Sequence, residues 1–200
     1  MVRTIAKDHD TKRRRILSEA AKVFAREGIA RASMNEVARA CGISKANIYH
    51  YYDSKDDLVF DILDTYLARL RDRLCNYDIS HLSPSDQLHA LTEECLLAYD
   101  GMDNEHKIQV EGLHRLSAER QDILKGHQRA LVERLAAVLV TCAPESLAED
   151  ASARREITMS VFGMLNWFYM WAPRASQADR KRYAATVADL TLNGLKRART

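Results

Sequence analysis

Ser33-Met34-Asn35-Glu36-Val37-Ala38-Arg39-Ala40-Cys41-Gly42-Ile43-Ser44-Lys45-Ala46-Asn47-Ile48-Tyr49-His50-Tyr51-Tyr52-Asp53-Ser54-Lys55 is the stretch on which the reading of this chain turns. Ser33 with Glu36 three residues on matches a capping box, in which each side chain satisfies the other residue's backbone N–H, so a helix begins here and carries Val37 and Ala38 inward. Ala40 to Ile43 interrupt it, and Gly42 is free to take the positive φ of a sharp turn. Ser44 offers a second N-cap for a helix through Tyr52, and Asp53 and Ser54 cap a third that runs on through Leu58, Ile62, Leu63, Tyr66, Leu67, Leu70 and Leu74. Upstream, Ile16, Leu17, Ala20, Val23 and Phe24 recur at helical spacing between Thr11 and Glu27, with Gly28 as the stop.

Two short helices joined by a glycine-containing turn and preceded by a longer amphipathic helix form the pattern of a helix-turn-helix. Ile48 must turn inward in the second of them, which leaves Lys45, Ala46, Asn47, Tyr49 and His50 to be shared between a groove and a phosphate backbone. Asn can bridge adenine N6 and N7, Lys suits guanine acceptors, and Ala or an aromatic edge packs on a thymine methyl. Hydroxyls at helix starts sit beside free N–H groups and suit a phosphate oxygen. Two residues stay open: Tyr49 reads a base or packs within the head, and His50 meets a phosphate or only solvent. The basic run Lys12-Arg13-Arg14-Arg15 is either a solvated face or a phosphate-contacting arm.

The segments Ala32 to Ala38 and Gly42-Ile43-Ser44-Lys45-Ala46-Asn47-Ile48-Tyr49-His50-Tyr51-Tyr52-Asp53-Ser54-Lys55 together resemble the TetR family of bacterial repressors. The resemblance lies in the Gly, hydrophobic, Ser turn, the aliphatic-Tyr-His-Tyr-aromatic run and the Ser-Lys that opens the next helix. It implies that Ser33, Ser44, Tyr51 and Lys55 bind phosphates while Lys45, Ala46, Asn47 and Tyr49 approach base edges. Ala46-Asn47 departs from the family's common Gly-Thr, so base contact through a threonine is not carried over.

The rest of the chain agrees with an all-α fold of about nine helices. Its 200 residues are 46% hydrophobic and 29% charged, with only 7 Gly and 3 Pro to break helices. Ser83-Pro84, Ser117, Pro144, Ser152, Pro173 and Ser176 with Asp179 mark the later boundaries. The net charge of +2 hides an asymmetry: residues 1–55 hold 12 Lys or Arg against 6 Asp or Glu, and residues 56–200 hold 18 against 22. A basic DNA-binding head, 1–55, is therefore expected on a mildly acidic body, 56–200, which binds a ligand and dimerises. Cys41, Cys75, Cys95 and Cys142 form no CxxC or Cys/His cluster, and the seven His show no ligand spacing, so no metal, disulfide framework or cofactor is expected. No signal peptide and no membrane-length apolar window is present, which suggests a cytoplasmic protein. A helical enzyme finds no nucleophile-base pair or Gly-rich phosphate loop in its favour.

A head of this size makes few contacts, so the body is expected to form a homodimer on a palindromic operator. From Met159 to Trp171, ten of thirteen residues are apolar or aromatic, and such a helix must be covered on most sides. Family members pack their last two helices against their mates, which points to Val161, Met164, Leu165, Phe168, Val187 and Leu190 as the interface. Gly163-Met164-Leu165-Asn166-Trp167 is similar to regulators responding to acyl-coenzyme A thioesters, and Tyr99, His114, Arg115, Asn166, Trp167 and Met170 are the candidate pocket. The expected activity is that of a repressor released from DNA by a hydrophobic small molecule, with the long helix after Ser54 carrying the change. The alternative is an architectural DNA-binding factor without effector.

Overall fold

A computed structural model describes residues 2–143 and 149–197, so Pro144 and Arg199, expected at the ends of helices, lie outside the described residues. Among the described residues there are nine α-helices and no strand: α1 Val2–Glu27, α2 Met34–Ala40, α3 Lys45–Tyr51, α4 Lys55–Cys75, α5 Pro84–Ala98, α6 Asp103–Gly112, α7 Ala118–Cys142, α8 Ala151–Trp171 and α9 Gln177–Arg197, with a 3₁₀ turn at Leu113–Arg115.

Helix starts follow their caps. Ser83 accepts from the Asp86 N–H with Pro84 at the first helical position, and Ser176 and Asp179 cap α9 reciprocally at 3.0 and 3.2 Å. Two boundaries differ from the periodicity reading. α1 begins at Val2 rather than Thr11, since no Gly or Pro in between stops it. α8 is capped by Asp150, whose carboxylate accepts from the N–H groups of Ser152 and Ala153, so Ser152 is already helical.

The chain divides by its packing into two compact units, one of residues up to Leu67 with Asn104–Lys125, the other Ala68–Asp103 with the residues from Gly126 onward. The expected functional boundary stood at Lys55. The first unit extends beyond it because its core continues along α4 through Leu58, Val59, Ile62 and Leu63, all buried. The end of α6 belongs to the same core. A Cβ on Gly112 would lie 2.9 Å from Leu63 Cδ1 and 3.2 Å from Val59 Cγ1, so glycine lets α6 come this close to α4 without displacing those side chains. Asp57 and Arg120 form an ion pair in this unit.

In the second unit α5 lies along α9. Leu88, Leu96, Ala184, Val187 and Ala188 fill the seam, flanked by ion pairs Lys181–Glu93 at 2.8 Å and His89–Asp189 at 3.2 Å. Arg180 is buried yet paired: its Nε lies 3.4 Å from Asp100 and its guanidinium 5.7 Å from the Phe168 ring centroid.

Candidate functional site

The helix-turn-helix is held from beneath by a polar triad. Arg13 of α1 donates Nε–H to Asp61 Oδ2 at 2.9 Å and also pairs through Nη2, while the buried Tyr52 hydroxyl donates to the same carboxylate at 2.6 Å. Burial and the neighbouring carboxylate both push the Tyr52 phenol up, so it stays a neutral donor. Arg13 therefore ties α1 to α4, while Arg14 of the same basic run donates to the Asp10 carbonyl at 3.3 Å. Between α2 and α3 Gly42 has φ of +64°, the left-handed turn that its sequence position required.

The four expected phosphate contacts differ in what they have left to offer. Ser33 caps α2 within the full capping box: its hydroxyl donates to Glu36 Oε2 at 2.8 Å, and its N–H donates to the same oxygen at 2.7 Å. Those bonds, the backbone one first, hold the Glu36 carboxyl below its ordinary range. The Ser33 proton is thus committed to a neighbouring carboxylate. Ser44 accepts from the Asn47 N–H at 3.1 Å, and the first turn of α3 carries no acid to take its proton. Tyr51 stacks on His9 of α1, ring centroids 5.0 Å apart. The Lys55 ammonium donates to the carbonyls of Ala30 and Ala32 at 3.1 and 3.0 Å, which fixes the loop before α2 and leaves one of its three N–H groups for a partner.

α3 rests on a single fully buried side chain, Ile48. Lys45, Ala46, Asn47, Tyr49 and His50 all face solvent. Tyr49, at 42% exposure, is no part of the head's core, and the Lys45 ammonium sits 5.9 Å from its ring centroid. One short helix thus presents an ammonium, an amide, a methyl and a phenol on one convex edge, of a diameter the DNA major groove admits.

Comparison with known proteins agrees with this geometry. Residues 16–62 match the profile of bacterial regulatory proteins of the tetR family, and residues 81–195, more than half of the chain, match that of a tetracyclin repressor-like C-terminal domain. The chain belongs to the TetR family. It is similar to the HTH-type transcriptional repressor KstR2 of Rhodococcus jostii, 28% identical over 154 residues that make up 75% of this chain and 72% of that one. Other curated relatives are matched over less of their length, 42% in one case. The crystal structure of a TetR-family regulator from Bordetella parapertussis superposes with a TM-score of 0.79 at 27% identity, covering 90% of this chain and 93% of that one. The structure of AibR in complex with isovaleryl coenzyme A and operator DNA shares the fold, with a TM-score of 0.69 at 23% identity over 92% of this chain and 97% of that one. The protein is thus a DNA-binding transcriptional regulator by family.

In the second unit of this TetR-family regulator the residues expected at the dimer and at the pocket differ in exposure. Val161, Leu165, Phe168 and Val187 are buried within the single chain. Trp167 and Met170, expected in a pocket, are 61% and 51% exposed. Met159, Gly163, Trp167 and Trp171 form a solvent-facing stripe at four-residue spacing along α8, with Met170 beside it. Leu190, 60% exposed, stands as expected on the surface of α9, where it and Met164 line an open groove of about 340 Å3 between α8 and α9. Of the other pocket candidates, Tyr99 and Asn166 bond to each other, the phenol donating to Oδ1 at 2.7 Å. His114 and Arg115 lie exposed on the 3₁₀ turn of the first unit, Arg115 3.8 Å from Asp56. A small void in the second unit lies elsewhere, between α4, α5, α7 and α8, and measures about 10 Å3. Periodicity does not reveal it, because its walls come from four helices distant in sequence. No helix among the described residues is long and apolar enough to cross a membrane.

Proposed function

We propose that the protein is a repressor that binds a palindromic operator as a homodimer and is released by an apolar small molecule, with acyl-coenzyme A thioesters the leading class. The observation that carries the DNA reading is the solvent-facing edge of α3 hung on Ile48 alone. In this reading Lys45, Ala46, Asn47 and Tyr49 approach bases, while Ser44, His50, Tyr51 and the remaining N–H of Lys55 meet phosphates. Ser33 serves chiefly to start α2 in place, its proton being held by Glu36.

Dimer formation is supported by the apolar stripe of α8 and by two glycines. Gly163 and Gly194 lie inside helices, where glycine costs about 1 kcal/mol relative to alanine, yet a Cβ on either would meet nothing of its own chain within 4 Å. Space left open beside exposed Met159, Trp167 and Leu190 suits the close approach of a second copy's helices. The repressor reading is supported by the likeness to the transcriptional repressor KstR2, and the effector class by the fold shared with AibR, which was crystallised with isovaleryl coenzyme A. α4, unbroken from Lys55 to Cys75, is the segment proposed to carry the change. A factor without effector is the second reading, favoured by the small size, about 10 Å3, of the void between α4, α5, α7 and α8.

Selection of bound fragments from random DNA, followed by anisotropy titrations, tests the reading. A two-fold symmetric site is expected, with Asn47→Ala relaxing its sequence preference and Lys55→Ala weakening all sequences and flattening the salt dependence. Recovery of no enriched sequence would overturn it. Release by acyl-coenzyme A thioesters separates the repressor from the effector-free factor.

A further inference from the structure

We infer that His9 of α1 and His50 of α3, both in ring contact with Tyr51, form with it a proton-dependent clamp for a backbone phosphate, so that the protein takes up protons as it binds DNA. This rests on the regulator reading above and adds to it a contact outside the helix-turn-helix and a response to pH.

The clamp follows from how the head is built. Arg13 and Tyr52 both bind the Asp61 carboxylate. His9 stands four residues before Arg13 on α1, hence one turn away on the same face, and Tyr51 adjoins Tyr52 at the end of α3. One acid of α4 thereby brings the two rings together. His9 and Tyr51 stack with centroids 5.0 Å and planes 26° apart, while His50 meets the same phenol edge-on at 5.9 Å. Both imidazoles are exposed and Tyr51 is half-buried. Apart from these ring contacts, none of the three has a hydrogen bond or ion pair among the described residues, so their polar atoms are available to a ligand.

The surrounding charges favour an anion. Lys12, Arg13 and Arg14 of α1 and Lys45 of α3 stand against Asp10 of α1, Asp53 after α3 and Asp61 of α4, and Asp61 is taken up by Arg13 and Tyr52. A neutral imidazole offers a phosphate one N–H, whereas an imidazolium offers two and a positive charge. Histidine ordinarily titrates near 6.5, and contact with a phosphate favours its charged form by about one unit. The bound state thus holds the proton to higher pH than the free state does. Affinity is gained as pH falls through that interval and lost as it rises, by about sixfold for each histidine of each bound head between pH 8 and 6. Carboxylates stay ionised in this window, and the buried His106, held down at about 4, stays neutral, so neither supplies the slope.

Anisotropy titrations of the full chain with a labelled duplex of random sequence, in phosphate-free buffer of fixed ionic strength at about pH 8 and about pH 6, test the clamp. Wild type is expected to show the gain above, with a salt slope steeper by about 0.9 per imidazolium–phosphate contact at the acid end. His9→Gln and His50→Gln should each remove one such factor, leaving the melt intact and the affinity at pH 8 within about twofold. His9→Lys, a permanent cation, should bind more tightly than wild type at pH 8 and lose the same part of the slope. His114→Gln, exposed on the 3₁₀ turn, should change nothing. Should a Gln variant lose its cooperative melt, His9→Lys and the wild-type salt slopes at the two pH values decide. Wild-type binding that is independent of pH, or a slope that survives either Gln substitution unchanged, overturns the proposal and leaves the regulator reading standing. Failure to bind duplex at either pH overturns both.

Discussion

α3 and α8 both present side chains that their own unit leaves uncovered, and they do so in opposite ways. The face of α3 is polar and hangs on one buried residue, whereas α8 buries five residues and still exposes Met159, Trp167, Met170 and Trp171. Beneath α3 the first unit answers its polar groups internally, through Arg13 and Tyr52 on Asp61, Lys55 on two carbonyls and Tyr66 on His106. A polar edge on such a base is stable alone in water and awaits a polyanion. An apolar stripe of that size is not at ease in water and awaits another protein surface.

The sharpest way to break the first half of the contrast is to remove its one anchor. Ile48→Ala removes most of a fully buried side chain, at a cost of about 2–5 kcal/mol, and α3 has no second buried side chain to fall back on. DNA binding should vanish and the melting temperature fall, read by anisotropy and calorimetry on the same sample. Loss of DNA binding with the stability untouched would mean that Ile48 is not the support it looks to be.

Acid strains the same unit next. Tyr66 donates or accepts at 2.8 Å from Nδ1 of His106, and burial holds this imidazole down at about 4. An unfolded histidine titrates near 6.5. Between those values the unfolded chain binds the extra proton and the folded one does not, so stability is full above about 6.5 and is lost as the pH falls toward 4, by at most about 3 kcal/mol. His106→Gln, which keeps a polar partner for Tyr66 without a titration, should flatten that limb of the pH–stability curve. An unchanged slope would place the acid sensitivity elsewhere.

On α8 the corresponding test concerns association. Trp167→Ala should weaken dimerisation by one to two orders of magnitude, about 2 kcal/mol, in sedimentation equilibrium with the melt of the separated protomer preserved. Leu165→Ala, one helical position class away and buried, should lower the melt instead. The reverse outcome would return Trp167 to the pocket where the sequence placed it.

The two helices also differ in how far their buried faces can be read from sequence. On α3 a single aliphatic residue beyond alanine, Ile48, among six neighbours that are small or carry a polar group leaves no doubt which side turns in, and the caps Ser33, Ser44, Ser83 and Ser176 announce themselves by residue type. On α8 ten of thirteen residues from Met159 to Trp171 are apolar or aromatic, so the helical period fits an inward face through Val161, Leu165 and Phe168 as well as one through Met159, Gly163 and Trp167. Packing against α5 and α9 decides between them, and no local pattern encodes it. The void between α4, α5, α7 and α8 escapes a local pattern for the same reason, and the close approach at Gly112 involves Leu63 and Val59, 49 and 53 residues upstream.

The smallest effect makes the finest division, between the two serine caps of the helix-turn-helix. Ser33→Ala and Ser44→Ala each remove one N-cap, at about 1 kcal/mol. Their consequences for DNA should separate. The Ser33 hydroxyl already donates to Glu36, so its loss should act through stability alone, whereas Ser44, with no acid in the first turn of α3, should also lose a phosphate contact and a few-fold in affinity at low salt. Ser44→Asp sharpens the point. Aspartate is as good a cap and restores the melt, but it sets a negative charge where the phosphate would lie, so DNA binding should fall below that of Ser44→Ala even as the fold recovers. If Ser44→Asp binds as wild type does, no phosphate approaches the start of α3, and the polar edge must be read as resting on its bases and on Lys55 instead.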